Sequence, residues 1–293
     1  MGSRDPRLND FGNIDYRLKA QIRKYTKEDP PAQRVKPIPM SVVGHLLWLA
    51  TLSSSHAMSC VTDMIAIAFF FLMRPGEHTY SSNNTPFRLQ DVQLFCGQTP
   101  LDPMTATNVQ LDRADAVSLT FTTQKNGVKG EVMSHGTTGD PRLCPVKSVV
   151  RRVKYLRRLG MPATTPLCTY KDHDNDPASK TRVVVAKHIT DALRMGIKHL
   201  DPEGKSLGIL PDEVDSRSLR AGGATALLIA GVGFDVIQLL GRWKSDAMIR
   251  YLHISANPHV RGYASAMYQA GAYTLQPGWY VPAMPLDTPA AAA

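Results

Sequence analysis

Apolar residues recur at helical spacing in the part of the chain that follows residue 39. One apolar face begins near Ser41, which is predicted to be the N-cap of a helix. Its members are Val42, Val43, Leu46, Leu47 and Leu49. The next run, residues 63–73, is apolar on nearly all sides, which is typical of a helix buried in a core. The pattern predicts two neighbouring helices, the second at the centre of the domain.

Strand-like segments replace helical spacing further along the chain. Residues 87–95 and 116–124 are predicted strands, and the second alternates apolar with polar positions. Asn126-Gly127, a dipeptide preferred in two-residue hairpins, follows at once, and residues 128–133 supply the returning strand. Lys125 is therefore predicted to lie at the tip of a hairpin.

Helical spacing returns at residues 145–159, where Pro145 suits a first helical turn, and at residues 187–199. Residues 216–252 then form short predicted helices punctuated by glycines. Taken along the whole chain, the pattern predicts an α+β fold that is mostly helical and has a small antiparallel sheet.

Composition divides the chain into three parts. Residues 1–36 are polar and basic, with a predicted helix at residues 16–25 and a Pro-rich linker leading into the next part. Residues 37–270 carry the periodic segments and are predicted to be the main domain. Residues 271–293 are rich in Pro and Ala, and we expect a tail that docks weakly or not at all.

Charge favours a polyanionic partner without identifying it. The 293 residues carry a formal net charge of +9, and 43% hydrophobic residues are enough for a core. Basic ribosomal, membrane-surface and nucleotide-binding proteins share this balance, so charge alone does not establish nucleic-acid binding. The longest apolar run, residues 64–73, is shorter than the roughly 18 residues of a membrane span. We expect no membrane association, and the widely spaced cysteines, interpreted as reduced thiols, indicate an intracellular protein.

Common metal and nucleotide motifs are missing from the sequence. The four cysteines lack C-x-x-C spacing, the histidines form no H-E-x-x-H, and no P-loop pattern occurs. We therefore predict no metal and no cofactor. A basic run on the helix at residues 145–159 is either a solvated face or a contact for DNA phosphates. It consists of Lys147, Arg151, Arg152, Lys154, Arg157 and Arg158.

The segment 216–252 holds the strongest chemical signal. Its spacing could bring the guanidiniums of Arg217 and Arg220, and the phenol of Tyr251, around one phosphate. The turn at Gly231, with apolar residues beyond it, fits a simple helix-turn-helix equally well. Spacing within this segment does not decide between the two.

The order of motifs along the chain carries more information. Phe-Leu-Met-Arg-Pro-Gly-Glu at residues 71–77, the hairpin Lys125, Arg-Ser-Leu-Arg at residues 217–220 and Gly-Arg-Trp…Tyr at residues 241–251 occur in one order. That order resembles the tyrosine recombinase and integrase family from about residue 40 to residue 257, especially recombinases of eukaryotic mobile elements. Residues 1–36 look like the last helix and linker of the family's N-terminal core-binding domain. The resemblance implies a tyrosine-recombinase-like catalytic domain.

The resemblance implies roles for Arg74, Arg220 and Lys125. Arg74 and Arg220 match the family's phosphate-binding arginines, and Glu77 matches the acidic residue after the first. Lys125 matches the general acid toward the leaving 5′-oxygen, with Lys129 as a nearby rival. Each residue also has a structural alternative. Arg74 could be a charged helix end that pairs with Glu77, Lys125 could be an exposed turn residue, and Arg220 could be a solvated charge.

The remaining matches concern the nucleophile and its neighbours. Tyr251 matches the tyrosine that forms a 3′-phosphotyrosyl ester, and Trp243 matches a His or Trp that donates to the phosphate. A core role for Trp243 and ordinary helix packing for Tyr251 are the alternatives. The sequence departs from the family twice. Arg217 replaces the usual histidine, and Tyr251 follows Trp243 by eight positions, one fewer than in many phage integrases.

The implied function is DNA recombination, integration or transposition through a covalent tyrosine intermediate, without metal or ATP. The implied partners are double-stranded DNA and further copies of the chain on paired sites, with a nuclear location if the source is eukaryotic. Two alternatives stay open at this point. One is a DNA-binding protein that keeps the scaffold and has lost catalysis, and the other is a type IB topoisomerase-like enzyme.

Overall fold

The computed structural model describes residues 35–82, 84, 86–122, 130–173, 176, 178–243 and 257–273, with side chains in the last stretch from residue 262. The chain divides into two units after Arg34, and the described residues all belong to the second. The predicted helix at residues 16–25 lies outside the described residues, as do Lys125 and Tyr251.

Helices predominate in this unit. They are α1 (Met40–Leu52), α2 (His56–Phe70), α3 (Pro75–His78), α4 (Asn108–Asp112), α5 (Pro145–Arg158), α6 (Ala186–Leu200), α7 (Ser218–Ile229), α8 (Phe234–Gly241) and α9 (Asn257–Ala270). The strands are β1 (Val92–Cys96), β2 (Thr99–Leu101), β3 (Ala116–Phe121), β4 (Glu131–Gly136), β5 (Thr169–Lys171) and β6 (Thr181–Val183). The prediction of a mostly helical α+β fold with a small antiparallel sheet is confirmed.

Helix α2 is the centre of the core, as predicted. Every residue from Cys60 to Phe70 is buried, and α2 contacts α1, α5, α6 and α7. The helix begins earlier than the predicted residue 63, because the side chain of Ser55 caps it by accepting a hydrogen bond from the Met58 amide. It ends at Phe70, and Leu72 just beyond has a left-handed φ of 48°.

The predicted N-cap at Ser41 is wrong. Helix α1 begins at Met40, after extended Pro39, and Ser41 is an exposed residue of its first turn. The preceding segment, residues 35–39, is built into the domain. The Ile38 side chain is fully buried, and its amide donates to the Ser218 carbonyl at 3.2 Å.

The main sheet has the antiparallel order β2-β1-β3-β4. Strand β1 begins at Val92 instead of residue 87, because the Asp91 carboxylate accepts from the Arg88 amide and closes a 3-10 turn between them. Strands β3 and β4 confirm the predicted pair, although the predicted turn between them lies outside the described residues. The two-stranded sheet β5-β6 was not predicted.

Two adjacent glycines let α7 approach the core. A Cβ at Gly222 would collide with the carbonyl oxygen of Ile38, and one at Gly223 with that of Phe69. Beyond α7, Gly231 adopts a left-handed φ of 79° and turns the chain into α8. Tight packing of α7 therefore sets the position of the residues it carries. In the described part of the chain, no helix is long and apolar enough to cross a membrane.

Candidate functional site

Arg74 lies where the chain leaves the buried helix α2 and enters α3. Its amide donates to Oε2 of Glu77 at 2.7 Å, and its Nη1 donates to Oε1 of the same carboxylate at 3.1 Å. The Arg74 side chain is 27% exposed and Glu77 is buried. Arg74 is thus held rigidly by Glu77, and it still reaches solvent.

Arg220 lies on α7 and faces Trp243. Its Cζ is 4.2 Å from the centroid of the indole ring, a cation–π contact, and its Nη2 donates to the Gly241 carbonyl. Its Nη1 is buried and has no hydrogen-bond partner among the described residues. Burial, followed by the positive charges of Arg74 and Arg242, lowers the pKa of Arg220 to about 9.

Arg242 is a member of the site that the sequence analysis did not single out. It follows α8 in a left-handed conformation, with φ of 57°, and its side chain is fully buried. Its Nη2 lies 2.8 Å from Oε2 of Glu77, and its Cζ lies 3.7 Å from the Phe121 ring centroid. Arg242 is part of the Gly-Arg-Trp motif at residues 241–243. The hydrophobic periodicity of a sequence does not distinguish a buried arginine from an exposed one.

Among the described residues, three guanidiniums of the site face the carboxylate of Glu77, and Glu131 adds a second negative charge that acts on Arg242, so the positive charges outnumber the negative ones. Arg74, Arg220 and Arg242 converge on Glu77, which pairs with the first and the third. An unpaired cation that is partly withdrawn from water is unstable unless an anion reaches it. Arginine forks bind two oxygens of a phosphate at once. The arrangement is therefore suited to a phosphate or a similar oxyanion.

Trp243 is not a core aromatic. It is 37% exposed, and the ring packs so closely over Gly241 that a Cβ there would overlap it. The backbone amide of Trp243 donates to the Gln238 carbonyl at 3.0 Å, which completes the turn after α8. The indole therefore lies at the surface, beside Arg220.

Arg217 has different surroundings. Its guanidinium donates to both carboxylate oxygens of Asp215, with Nη2 at 2.6 Å from Oδ2, and its side chain is 65% exposed. Partial burial acts to raise the pKa of the Asp215 carboxyl. The hydrogen bonds from Arg217 outweigh that effect, so the pKa is lowered. The structure thus groups Arg74, Arg220 and Trp243 and gives Arg217 its own counterion. Lys125, Lys129 and Tyr251 lie outside the described residues.

Most cations of the basic helix α5 have partners among the described residues, although Arg151 and Arg158 are exposed. Lys147 and Arg157 donate to main-chain carbonyls, of which the Ala106 oxygen lies 2.6 Å from Arg157 Nη1. Lys154 pairs with Asp112 at 2.8 Å. Arg151 pairs with Asp63 and Arg152 is buried against carbonyls of residues 167 and 169. Most of this charge ties α5 to its neighbours.

Other chemistries find little support in the described ranges. No group of three or more His, Cys, Asp or Glu side chains there is placed to hold a metal ion. Cys60, Cys144 and Cys168 are buried thiols, and Cys96 is an exposed one. Burial raises the pKa of the Cys168 thiol to about 11, so it is a poor nucleophile at neutral pH.

No protein-family model matches the chain, and a comparison with curated proteins finds no significant relative.

Proposed function

We propose that this protein cleaves and rejoins duplex DNA through a covalent tyrosine intermediate, as a recombinase of mobile DNA. The observation that carries the proposal is the convergence of Arg74 and Arg220 beside the exposed Trp243. Arg220 keeps one buried donor without a partner among the described residues. A phosphodiester bound beside Arg74 and Arg220 would neutralise the surplus positive charge of the site.

In the proposed reaction, the phenol oxygen of Tyr251 attacks the phosphorus of one strand. The new bond is a 3′-phosphotyrosyl ester, and the bond from phosphorus to the 5′-oxygen breaks. Tyr251 gives up its proton to water or a phosphate oxygen, and Lys125 donates a proton to the leaving 5′-oxygen. Arg74 and Arg220 stabilise the extra negative charge of the pentacoordinate transition state. Rejoining is the same sequence in reverse.

A second function, DNA binding without cleavage, has one observation in its favour. Arg217 stands where the family has histidine and is held by Asp215. A guanidinium with a pKa above 12 cannot accept the phenol proton, whereas a histidine can. The loss of that base fits a scaffold that has kept its anion site and lost its chemistry.

Covalent capture on DNA separates the two functions. Duplexes that bind the full chain are first selected from a random-sequence pool with the Tyr251→Phe variant. They are then nicked near each phosphate and incubated with the unmodified protein, and adducts that resist denaturant are mapped by peptide sequencing. We expect an adduct at Tyr251 that is lost in Tyr251→Phe and kept in Tyr263→Phe, the matched control. Selected binding without any adduct supports the DNA-binding protein, and an adduct on another tyrosine contradicts the assigned nucleophile.

A further inference from the structure

Arg242 ties the end of α8 to the end of α2. Its Nη1 donates to the carbonyl oxygen of Phe71 at 3.1 Å and to that of Leu240 at 3.2 Å. Its Nη2 donates to the carbonyl oxygen of Leu72 at 3.3 Å. One guanidinium thus bridges segments that are distant in sequence.

The turn held in this way supplies one acceptor to each arginine of the candidate phosphate site. The Gly241 carbonyl accepts from Nη2 of Arg220, and the Arg242 carbonyl accepts from Nη2 of Arg74 at 3.1 Å. Glu77, which pairs with Arg242, also accepts from Nη1 of Arg74. The orientation of both guanidiniums therefore depends on where the 241–242 turn lies.

The placement of Arg242 is electrostatically unfavourable. Burial comes first among the causes that lower its pKa, the carboxylate of Glu77 opposes that shift, and the charge of Arg74 adds to it. Well-packed apolar residues in place of buried ion pairs are often neutral or stabilising. An arginine here is accordingly better explained by the bonds that it makes to the turn than by a gain in overall stability.

We propose that Arg242 is a positioning residue, which holds the two phosphate-binding arginines in register through the carbonyls of Gly241 and Arg242. The proposal rests on the function proposed above. Since the Arg242 side chain is fully buried, it acts through Arg74 and Arg220 and does not touch the substrate. Loss of Arg242 should therefore weaken binding of an oxyanion more than loss of a comparable buried arginine elsewhere.

Arg152 provides the matched control. It is also fully buried, and it also donates to main-chain carbonyls, with Nε at 3.0 Å from the Leu167 oxygen. Those bonds join α5 to Leu167 and to Thr169, the first residue of β5, and they do not involve the site. Substitution by methionine at either position removes a buried guanidinium and its hydrogen bonds to carbonyls.

The probe is inorganic orthovanadate, which can imitate a pentacoordinate phosphorus. The parent protein is the full chain with Trp48→Phe and Trp279→Phe, so that Trp243 is the sole remaining indole of the three. Because Arg220 lies against that ring, its engagement by an anion changes the indole emission. We expect Arg242→Met to weaken vanadate affinity at least tenfold, about 1.4 kcal/mol, and Arg152→Met to change it less than twofold. Circular dichroism checks that both variants are folded.

Arg242→Lys separates position from charge. Lysine keeps the charge but lacks the planar fork that reaches several carbonyls at once, so we expect it to weaken vanadate binding at least fivefold. If circular dichroism shows that Arg242→Met does not fold, the vanadate affinity of Arg242→Lys decides whether Arg242 has the positioning role. Vanadate affinity within twofold of the parent in Arg242→Lys overturns the positioning role. If the parent does not bind vanadate, or Arg220→Ala binds it as well as the parent, the phosphate site itself is wrong and the positioning role falls with it.

Discussion

Arg217 and Arg220 lie one helical turn apart and have different electrostatic surroundings. Arg217 is exposed and paired with Asp215, whereas Arg220 is partly buried among like charges with an unpartnered donor among the described residues. We predict that Arg220→Ala slows single-turnover cleavage on the selected duplex by about 100- to 1000-fold, as loss of a transition-state donor does. Arg217→Ala should slow it less than tenfold. Equal losses would mean that Arg217 leaves Asp215 when DNA binds.

Replacement by histidine, the residue that most tyrosine recombinases have at this position, tests the role proposed for Arg217. If the arginine is an adaptation, Arg217→His cleaves no faster than the natural protein across the pH range. A gain of tenfold or more, roughly 1.4 kcal/mol in barrier, would identify a lost general base instead. The pH–rate profile is the deciding measurement, because only histidine titrates near neutral pH.

Two buried histidines near the site make stability depend on pH. Burial lowers the pKa of His78 and of His135 to about 4 in each case, while an unfolded histidine titrates near 6.5. The unfolded chain therefore binds more protons than the folded protein between these pH values. The stability that the two neutral histidines contribute is fully present above pH 6.5 and is lost as pH falls toward 4. We predict that the free energy of unfolding in urea decreases by a few kcal/mol from pH 7 to pH 5.

The histidine contribution can be isolated by substitution. His135 packs edge-on against Phe71 with centroids 4.6 Å apart, so phenylalanine can fill its place without a titrating group. His135→Phe should reduce the dependence between pH 7 and pH 5 by about half, because His78 remains. An unchanged slope in this variant would show that other groups cause the loss.

At the scale of the helices, two glycines give opposite predictions for the same substitution. Gly222→Ala places a Cβ against the fixed carbonyl oxygen of Ile38, and we expect it to lower the free energy of unfolding by about 2 to 3 kcal/mol. Gly262 lies in α9 with open space where a Cβ would be. Gly262→Ala should raise stability by about 0.5 to 1 kcal/mol through helix propensity. Chemical denaturation measures both, and equal effects would contradict the close approach of α7.

The helices and strands show what periodicity can predict. The apolar run in α2 and the alternation in β3 identified both elements, because burial on one or all sides leaves a regular pattern in the sequence. The starts of α1 and β1 were misplaced, since they depend on single contacts such as the 3-10 turn closed by Asp91. Short strands such as β5, with three residues, are too brief for a periodic signal.

At the scale of the whole molecule, the candidate site was predictable from the sequence only in part. The grouping of Arg74, Arg220 and Trp243 followed from the order of motifs, and the structure brings these residues together. Arg242 was missed because its burial arises from tertiary contacts with Phe71, Leu72 and Glu77. The partners of the α5 cations were missed for the same reason. A sequence shows that a residue is basic, but only the fold shows which acceptor lies beside it.

The candidate site should also affect the stability of the entire domain, because an anion that binds only the folded state stabilises it by mass action. Without an anion, Arg220 is held partly desolvated beside two other cations. We predict that Arg220→Met raises the free energy of unfolding by about 1 kcal/mol or more in chloride, since it removes an unpaired buried charge.

The natural protein should gain melting temperature as phosphate replaces chloride at constant ionic strength, and Arg220→Met should not. Arg217→Met is the matched control, because removal of an exposed ion pair changes stability by less than about 1 kcal/mol and should leave the phosphate response intact. A natural protein that melts at the same temperature in both salts would contradict a phosphate site. A phosphate response kept in Arg220→Met would place that site elsewhere on the molecule.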